Sequence, residues 1–291
     1  MRWELLLGIN LLCGVTRETL NKKITHLVDP KVGILYLFTF NGILFLILQI
    51  LMHGFTLRWN FTLILAGVLF TVAYVSYYHA IRISLSQSIL FSSYSLLVTI
   101  FLAALFLGES SYFDILTPRG IKVVLGIILA CVAMWYLLHE GRKSELKLER
   151  RWFLYILLTI VGTGVGSFMS LYGLHTLSFG SLEVVLNQTV GSLPPLILWI
   201  VLTKKSSFRI SQTGLRLIGI NSIFNSGSIL AFFELAKYIP STKLYPIQTV
   251  LLIILTMISG IIFFHEENTF KGTRALGMGL GLIGILLLSF A

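Results

Sequence analysis

Charge is scarce in this chain. Only 12% of its 291 residues are Asp, Glu, Lys or Arg, 56% are hydrophobic, and the mean hydropathy is +0.90. So little polar surface cannot clothe a water-soluble core. Acid is scarcer than base, with 12 Asp and Glu against 22 Lys and Arg. The only aspartates, Asp29 and Asp114, stand in separate loops with no DxxD or HxD grouping. Chemistry on lipid-linked substrates usually needs clustered acids or histidines at the membrane surface, so an enzyme is disfavoured. The two cysteines, Cys13 and Cys131, make no CxxC pair. The six histidines show neither HxxxH nor HExxH spacing. Disulfides, a metal site and a cofactor are therefore not expected. A GxxxxGK[ST] loop to hold nucleotide phosphates is also lacking, which argues against ATP-driven transport.

What the chain has instead is apolar length. A bilayer core about 30 Å thick takes roughly 20 apolar residues per helix. Ten such runs fit at 3–24, 32–53, 59–82, 86–107, 118–138, 152–175, 181–202, 214–237, 244–265 and 271–290. A β-barrel would alternate apolar and polar residues, and a run such as Ile121–Leu138 does not. The fold class expected is an all-α polytopic membrane protein. Arg2 and Glu4 lead straight into the first run without a small-residue cleavage site, so the first helix is expected to be retained. No loop is long enough for a soluble domain, which places the function inside the bilayer. A multi-pass protein of the cell (cytoplasmic or inner) membrane is the expectation. The formal charge of +10 does not point to nucleic acid, because the basic residues sit in short loops where they set topology and touch anionic headgroups. Arg2, Arg58, Arg119, Lys122, Lys237 and Lys243 lie on the side of the termini, and most of the 22 lie opposite. The charge rule alone puts both termini outside.

The charged segment Arg142–Arg151 divides the runs five and five, and the halves resemble each other. Tyr77-Tyr78-His79-Ala80-Ile81-Arg82 matches Phe232-Phe233-Glu234-Leu235-Ala236-Lys237. Phe106-Leu107-Gly108-Glu109 matches Phe263-Phe264-His265-Glu266, and Arg119-Gly120-Ile121-Lys122 matches Lys271-Gly272-Thr273-Arg274. An odd number of helices per repeat inverts the second half in the membrane, an arrangement typical of secondary transporters. The domains expected are a five-helix repeat over 1–141, a charged linker over 142–151 and a second repeat over 152–291.

These motifs resemble those of the ten-helix permeases of the drug/metabolite transporter superfamily. That family closes its third and eighth helices with an aromatic run and Ala-Leu-Lys-Tyr-like residues, here His79–Arg82 and Leu235–Tyr238. It closes its fourth and ninth with Phe-Leu-Gly-Glu, here Phe106–Glu109 and Phe263–Glu266. His265 stands where glycine is usual, and the first helix lacks the family's tryptophan-glycine pattern. The resemblance implies a permease for amino acids, related metabolites or drug-like solutes, commonly in the efflux direction. It also implies cytoplasmic termini, against the charge count.

Polar side chains inside spans mark the candidate path, because lipid repels them. Asn10, Gly14, Arg17 and Asn21 recur at helical spacing on one face of span 1. Span 7 carries Glu183, Asn187, Gln188, Gly191 and the pair Pro194-Pro195. Span 8 carries Asn221, Asn225, Ser228 and Phe232. Tyr74, Tyr78 and Tyr94 suit a cavity holding an organic solute, whereas Tyr77 and Tyr112 read as an interfacial belt. The candidate substrate residues are thus Asn10, Arg17, Tyr74, Tyr78, Tyr94, Asn187, Gln188, Asn221, Asn225 and Phe232. Glu18, Glu183 and Glu234 are the possible coupling acids, with Glu234 spaced to pair with Lys237. Glu109 and Glu266 read as helix-end acceptors for a neighbouring helix start, and the Gly162/Gly166 and Gly277/Gly281 pairs as packing contacts. The expected function is a secondary transporter moving a small organic solute by alternating access, as a monomer or homodimer in the lipid bilayer. The alternatives are a flippase or membrane enzyme acting on a lipid-linked substrate, and a structural or receptor subunit.

Overall fold

The computed structural model describes residues 3–106, 117–140, 150–203, 208–238, 241–266 and 272–289. Leu107, Gly108, Glu109, Tyr112 and the linker residues 141–149 lie outside them, as does the Lys237 side chain. The described residues form eleven helices: α1 (Trp3–Leu27), α2 (Pro30–His53), α3 (Phe61–Ile83), α4 (Leu85–Ser92), α5 (Ser95–Phe106), α6 (Pro118–Glu140), α7 (Arg150–His175), α8 (Ser181–Leu202), α9 (Gln212–Tyr238), α10 (Ser241–Phe264) and α11 (Gly272–Ser289). Among these residues there is no strand.

Nine of the ten expected spans are single helices within a few residues of their expected ends. The fourth is not: it breaks between α4 and α5. Ser92 Oγ and Ser93 Oγ both donate to the Ile89 carbonyl, at 3.1 and 2.7 Å. The backbone shifts there to three-residue bonds, Tyr94 N–H to Phe91 O, Leu96 N–H to Ser93 O and Leu97 N–H to Tyr94 O. Serines that bond back to their own helix compete with its ladder, and the tighter turn makes a joint. Elsewhere local chemistry sets the ends. Asp29 caps α2 through the Lys31 N–H at 3.0 Å with Pro30 opening the helix, and Asn60 caps α3 through Thr62 N–H at 2.9 Å.

The burial pattern is that of a protein dissolved in lipid. Asn10, Glu18, Asn21, Asn41, Gln49, Asn187, Asn221 and Asn225 are buried, while Leu12, Leu51 and Phe61 are more than 70% exposed. In water that distribution would be unstable; in hydrocarbon it is the favourable one, since polar groups there must find partners inside the bundle. Five of the described helices are long and apolar enough to cross a membrane by that measure alone, α2, α3 and α8 among them.

The packing carries the repeat. With spans numbered 1 to 10, and α4 and α5 together as span 4, span 3 packs on 6 and span 8 on 1. Span 3 also packs on 7 and 8 on 2, and span 4 on 6 and 9 on 1. Spans 2 and 7, 4 and 9, and 5 and 10 pair with each other. Adding five to both members of each of these principal pairs returns the same set. This is the two-fold relation expected of two five-helix repeats, inverted because five is odd.

Small residues let the backbones meet. A Cβ on Gly67 would fall 2.0 Å from the Gln188 carbonyl oxygen, and one on Gly191 would fall 1.9 Å from that of Ile64. Thr71 and Ser192 reinforce the α3–α8 contact, Thr71 Oγ1 donating to Ser192 O at 3.1 Å and Ser192 Oγ to Gly67 O at 2.8 Å. Gly162 and Gly166 admit Ala73 and Phe70 of α3 to α7, as their spacing suggests.

His265 just beyond α10 has φ +53°, in the left-handed region where glycine alone is free of steric cost. The position where the resembled family has glycine is therefore one where backbone geometry asks for it. His265→Gly is expected to stabilise the protein by about 1 kcal/mol, read as a higher apparent Tm in detergent; an unchanged or lower Tm would show that the imidazole has compensating contacts. The next residue, Glu266, closes this corner. It accepts from Leu85 N–H at 2.8 Å and Ser86 N–H at 2.9 Å, capping α4, and pairs with the buried Lys22 of α1.

Candidate substrate cavity

Two cavities lie among the helices, of about 260 and 250 Å³. The first is walled by α2, α3, α7, α8 and α9, with Phe38, Phe45 and Phe70 giving an apolar wall and Asn41, Ser170, Gln188 and Asn225 a polar one. The second runs between α1, α3, α5, α7 and α10, where Ser92, Ser93, Thr99, Thr159 and Thr249 supply hydroxyls. Arg17, Tyr74, Thr163, Ser167 and Gln248 border both, so they form a waist between two chambers. Among the described residues, none of spans 5 and 10 lines either chamber.

Among the described residues Arg17 is the only base and Glu18 the only acid on these walls. Arg17 Nε and Nη2 donate to Glu18 Oε1 at 2.8 and 2.6 Å, and Nη1 donates to Asn225 Oδ1 at 3.3 Å. Glu18 Oε2 accepts from Tyr77 Oη at 2.7 Å and Asn21 Nδ2 at 3.2 Å. Asn21 Oδ1 in turn accepts from Tyr78 Oη at 2.5 Å and Asn221 Nδ2 at 2.6 Å. One connected network thus ties α1 to α3 and α9, and only its Arg17 end and Asn225 border the first chamber. Tyr77, expected at the interface, is instead buried within this network beside the second chamber; its hydroxyl finds a carboxylate there.

The other candidates divide by place. Gln188 lines the first chamber and donates to Ser170 Oγ at 2.6 Å, and Phe232 lines it from α9. Asn10 stands behind the wall, its amide donating to Ser228 O at 2.7 Å. Tyr78 and Asn221 are fully buried in the network without bordering either chamber. Tyr94 packs away from both, donating to Gly281 O at 2.8 Å. Asn187 turns toward the α2–α3 loop, accepting from Asn60 N–H and donating to Arg58 O, both at 2.9 Å. Glu183 begins α8, binding Arg58 Nη2 at 2.8 Å and Gly180 N–H at 2.9 Å. Glu234 sits half-buried near the end of α9 and borders neither chamber. Sequence reasoning missed Asn41 and Phe45 on α2, Thr163, Ser167 and Ser170 on α7, and Gln248 on α10. Thr163, Ser167 and Ser170 recur at steps of four and three, a stripe that the neighbouring glycines overshadowed. Among the described residues no cluster of His, Cys, Asp or Glu could hold a metal ion.

Residues 150–290 match the EamA-like transporter family. These residues form an EamA-like domain, of the drug/metabolite transporter superfamily. The resemblance read from its motifs thus holds, as does an all-helical fold of two five-helix repeats, and the matched domain corresponds to the second of them. Over 71 residues, 24% of this chain, it is 38% identical to a probable 4-amino-4-deoxy-L-arabinose-phosphoundecaprenol flippase subunit ArnE from Hamiltonella defensa subsp. Acyrthosiphon pisum (strain 5AT). That match spans 61% of the relative's length. A solved crystal structure with 15% sequence identity superposes with a TM-score of 0.56 over 99% of this chain and 97% of its own, a likeness of fold alone. The family match and the long apolar helices are those of a multi-pass membrane protein.

Proposed function

We propose that this EamA-type protein is a secondary transporter that carries a small organic solute across the cell membrane by alternating access, with the two chambers as consecutive parts of one path. The observation that carries this reading is the shared waist. Arg17, Tyr74, Thr163, Ser167 and Gln248 border both chambers, so a solute passing from one to the other meets the same side chains. Chambers of about 260 and 250 Å³ suit a solute of metabolite size, and a mixed aromatic and amide lining suits an apolar body with a few polar groups. The repeat supplies two related halves that can exchange shapes around a fixed site. Efflux follows from the family resemblance, and the protein acts as a monomer or homodimer with no cofactor.

A ligand that binds the folded state raises the apparent Tm by mass action. Screening amino acids, organic cations, nucleosides and sugars against the purified protein should give a stabilising solute. That solute should undergo counterflow in proteoliposomes. Tyr74→Ala and Asn225→Ala should each reduce both signals at least tenfold, while Cys131→Ser, exposed on α6, should leave them intact. Binding and counterflow that survive both cavity substitutions would place the path elsewhere.

The likeness to a subunit of a probable aminoarabinose-phosphoundecaprenol flippase favours a second reading, a flippase for a lipid-linked substrate. Movement of a polyprenyl-phosphate headgroup between leaflets of proteoliposomes, with no soluble solute exchanged, would select it.

A further inference from the structure

We infer that the waist is an anion site: Arg17 binds a carboxylate or phosphate of the substrate, whose apolar body lies against the phenylalanines of the first chamber. This deepens the transport reading above and rests on it. The argument is one of hydrogen-bond capacity. Glu18 Oε1 takes two bonds from Arg17, and Oε2 takes one each from Tyr77 and Asn21. A carboxylate offers about four acceptor sites, so Glu18 is saturated, and its side chain is only 4% exposed. A cationic ligand would find no free carboxylate there, because among the described residues no other acid borders either chamber.

Arg17 differs. Of its five N–H donors, two are engaged by Glu18 and one by Asn225 Oδ1 at 3.3 Å, the longest of the three. Two donors remain, and the side chain keeps 17% of its surface open. A guanidinium held in place on one edge and open on the other is suited to a planar oxyanion. Asn225 is then a positioning residue that holds the guanidinium edge toward α9. Phe38, Phe45 and Phe70 stand on the same chamber, which favours an anion carried on an apolar or aromatic body over a bare inorganic one. Since Glu18 already neutralises Arg17, a bound anion makes the waist net negative, and a proton or cation must enter with it or an anion must leave.

Four matched probes separate charge from shape: phenylacetate, phenylacetamide, phenethylamine and L-phenylalanine, each titrated against the full chain in lipid nanodiscs. The anion should bind at least tenfold more tightly than the amide, and the amine should be weakest. Arg17→Gln should abolish the anion preference and Arg17→Lys should restore part of it. Glu18→Gln removes the internal competitor and should tighten phenylacetate several-fold, a gain that damaged folding cannot mimic. A polyprenyl phosphate incorporated into the nanodisc tests the lipid source of the same group; Arg17-dependent stabilisation by it, with phenylacetate silent, assigns the anion to a lipid headgroup. Equal binding of amide or amine overturns the anion site, as does the failure of both anions to bind. Counterflow of a solute that ignores Arg17→Gln removes the anion site and leaves the transporter. Arg17-dependent binding without transport of any solute or lipid keeps the site and removes the transporter.

Discussion

Gly67→Ala and Gly191→Ala are each expected to cost about 3 kcal/mol and to shift much of the protein out of its monodisperse peak in detergent. The physical cause is the approach of α3 to α8. At both positions the atom that a methyl group would strike is a backbone carbonyl oxygen, at 2.0 and 1.9 Å. A flexible side chain could swing aside; a carbonyl moves only with its helix. Opening the pair enough to admit a methyl group also stretches the Thr71–Ser192 and Ser192–Gly67 bonds. Overpacking of a tight contact costs about 1 to 3 kcal/mol, and lost buried hydrogen bonds add about 1 kcal/mol each. Gly8 and Gly279 provide the contrast. A Cβ there meets nothing within 4 Å, so alanine should be neutral or slightly stabilising, in line with its better helix propensity. Thermal melts of the four variants decide it, and a wild-type melt for Gly67→Ala would refute the α3–α8 packing.

Glu266→Gln is the second substitution with a large expected effect. Lys22 and Glu266 are each less than 10% exposed at the side chain, and the Glu266 carboxylate also caps α4 through Leu85 and Ser86 N–H. Burial pushes the Glu266 carboxyl up, but the Lys22 ammonium and the two amides outweigh that and hold it below its ordinary value. Removing one partner of such a pair leaves a charge unpaired out of water, at a cost of about 3 to 5 kcal/mol. Among the described residues Lys22 would keep the face of Phe264, 4.8 Å away, and a neutral amide oxygen in place of the carboxylate. The double variant Lys22→Met with Glu266→Gln removes both charges and should be more stable than Glu266→Gln alone. Denaturation of the single and double variants in detergent reads the coupling directly. Additive losses would mean that the two side chains do not depend on each other.

The spans were legible because the bilayer imposes one length and one polarity on every crossing, and the repeat because short motifs recur in order around Arg82 and Lys237. The joint in span 4 was not, since Ser92 and Ser93 look like ordinary helix residues until both bond back to Ile89. The stripes on α1 and α9 correctly indicated one face each, and those faces meet at Asn10–Ser228, Arg17–Asn225 and Asn21–Asn221. What the stripes could not say is which polar residue borders space and which borders another helix. Asn187 and Gln188 are neighbours in sequence, yet one ties a loop and the other lines a chamber. That division depends on rotation of α8 about its axis, fixed by Gly191 against Ile64, a contact between residues that no local pattern relates. On α7 the hydroxyls of Thr163 and Ser167 shared their turns with Gly162 and Gly166, and the packing signal hid the polar one.

The pairing of spans has a consequence for energy. Because the principal packed pairs become one another on adding five, a motion that gave each half the shape of the other would rebuild most of the same helix contacts. Two such end states would be degenerate in a perfectly repeated chain, with equal populations. Any preference between them must then come from residues that break the repeat. Arg17, Glu18 and Lys22 of α1 break it: α7, the counterpart of α1, has no Lys or Glu, and its arginines, Arg150 and Arg151, stand in its first turn. The charged side chains of α1 would thus set the resting population, and substitutions at the Lys22–Glu266 corner should tune the equilibrium constant while the waist keeps its chemistry.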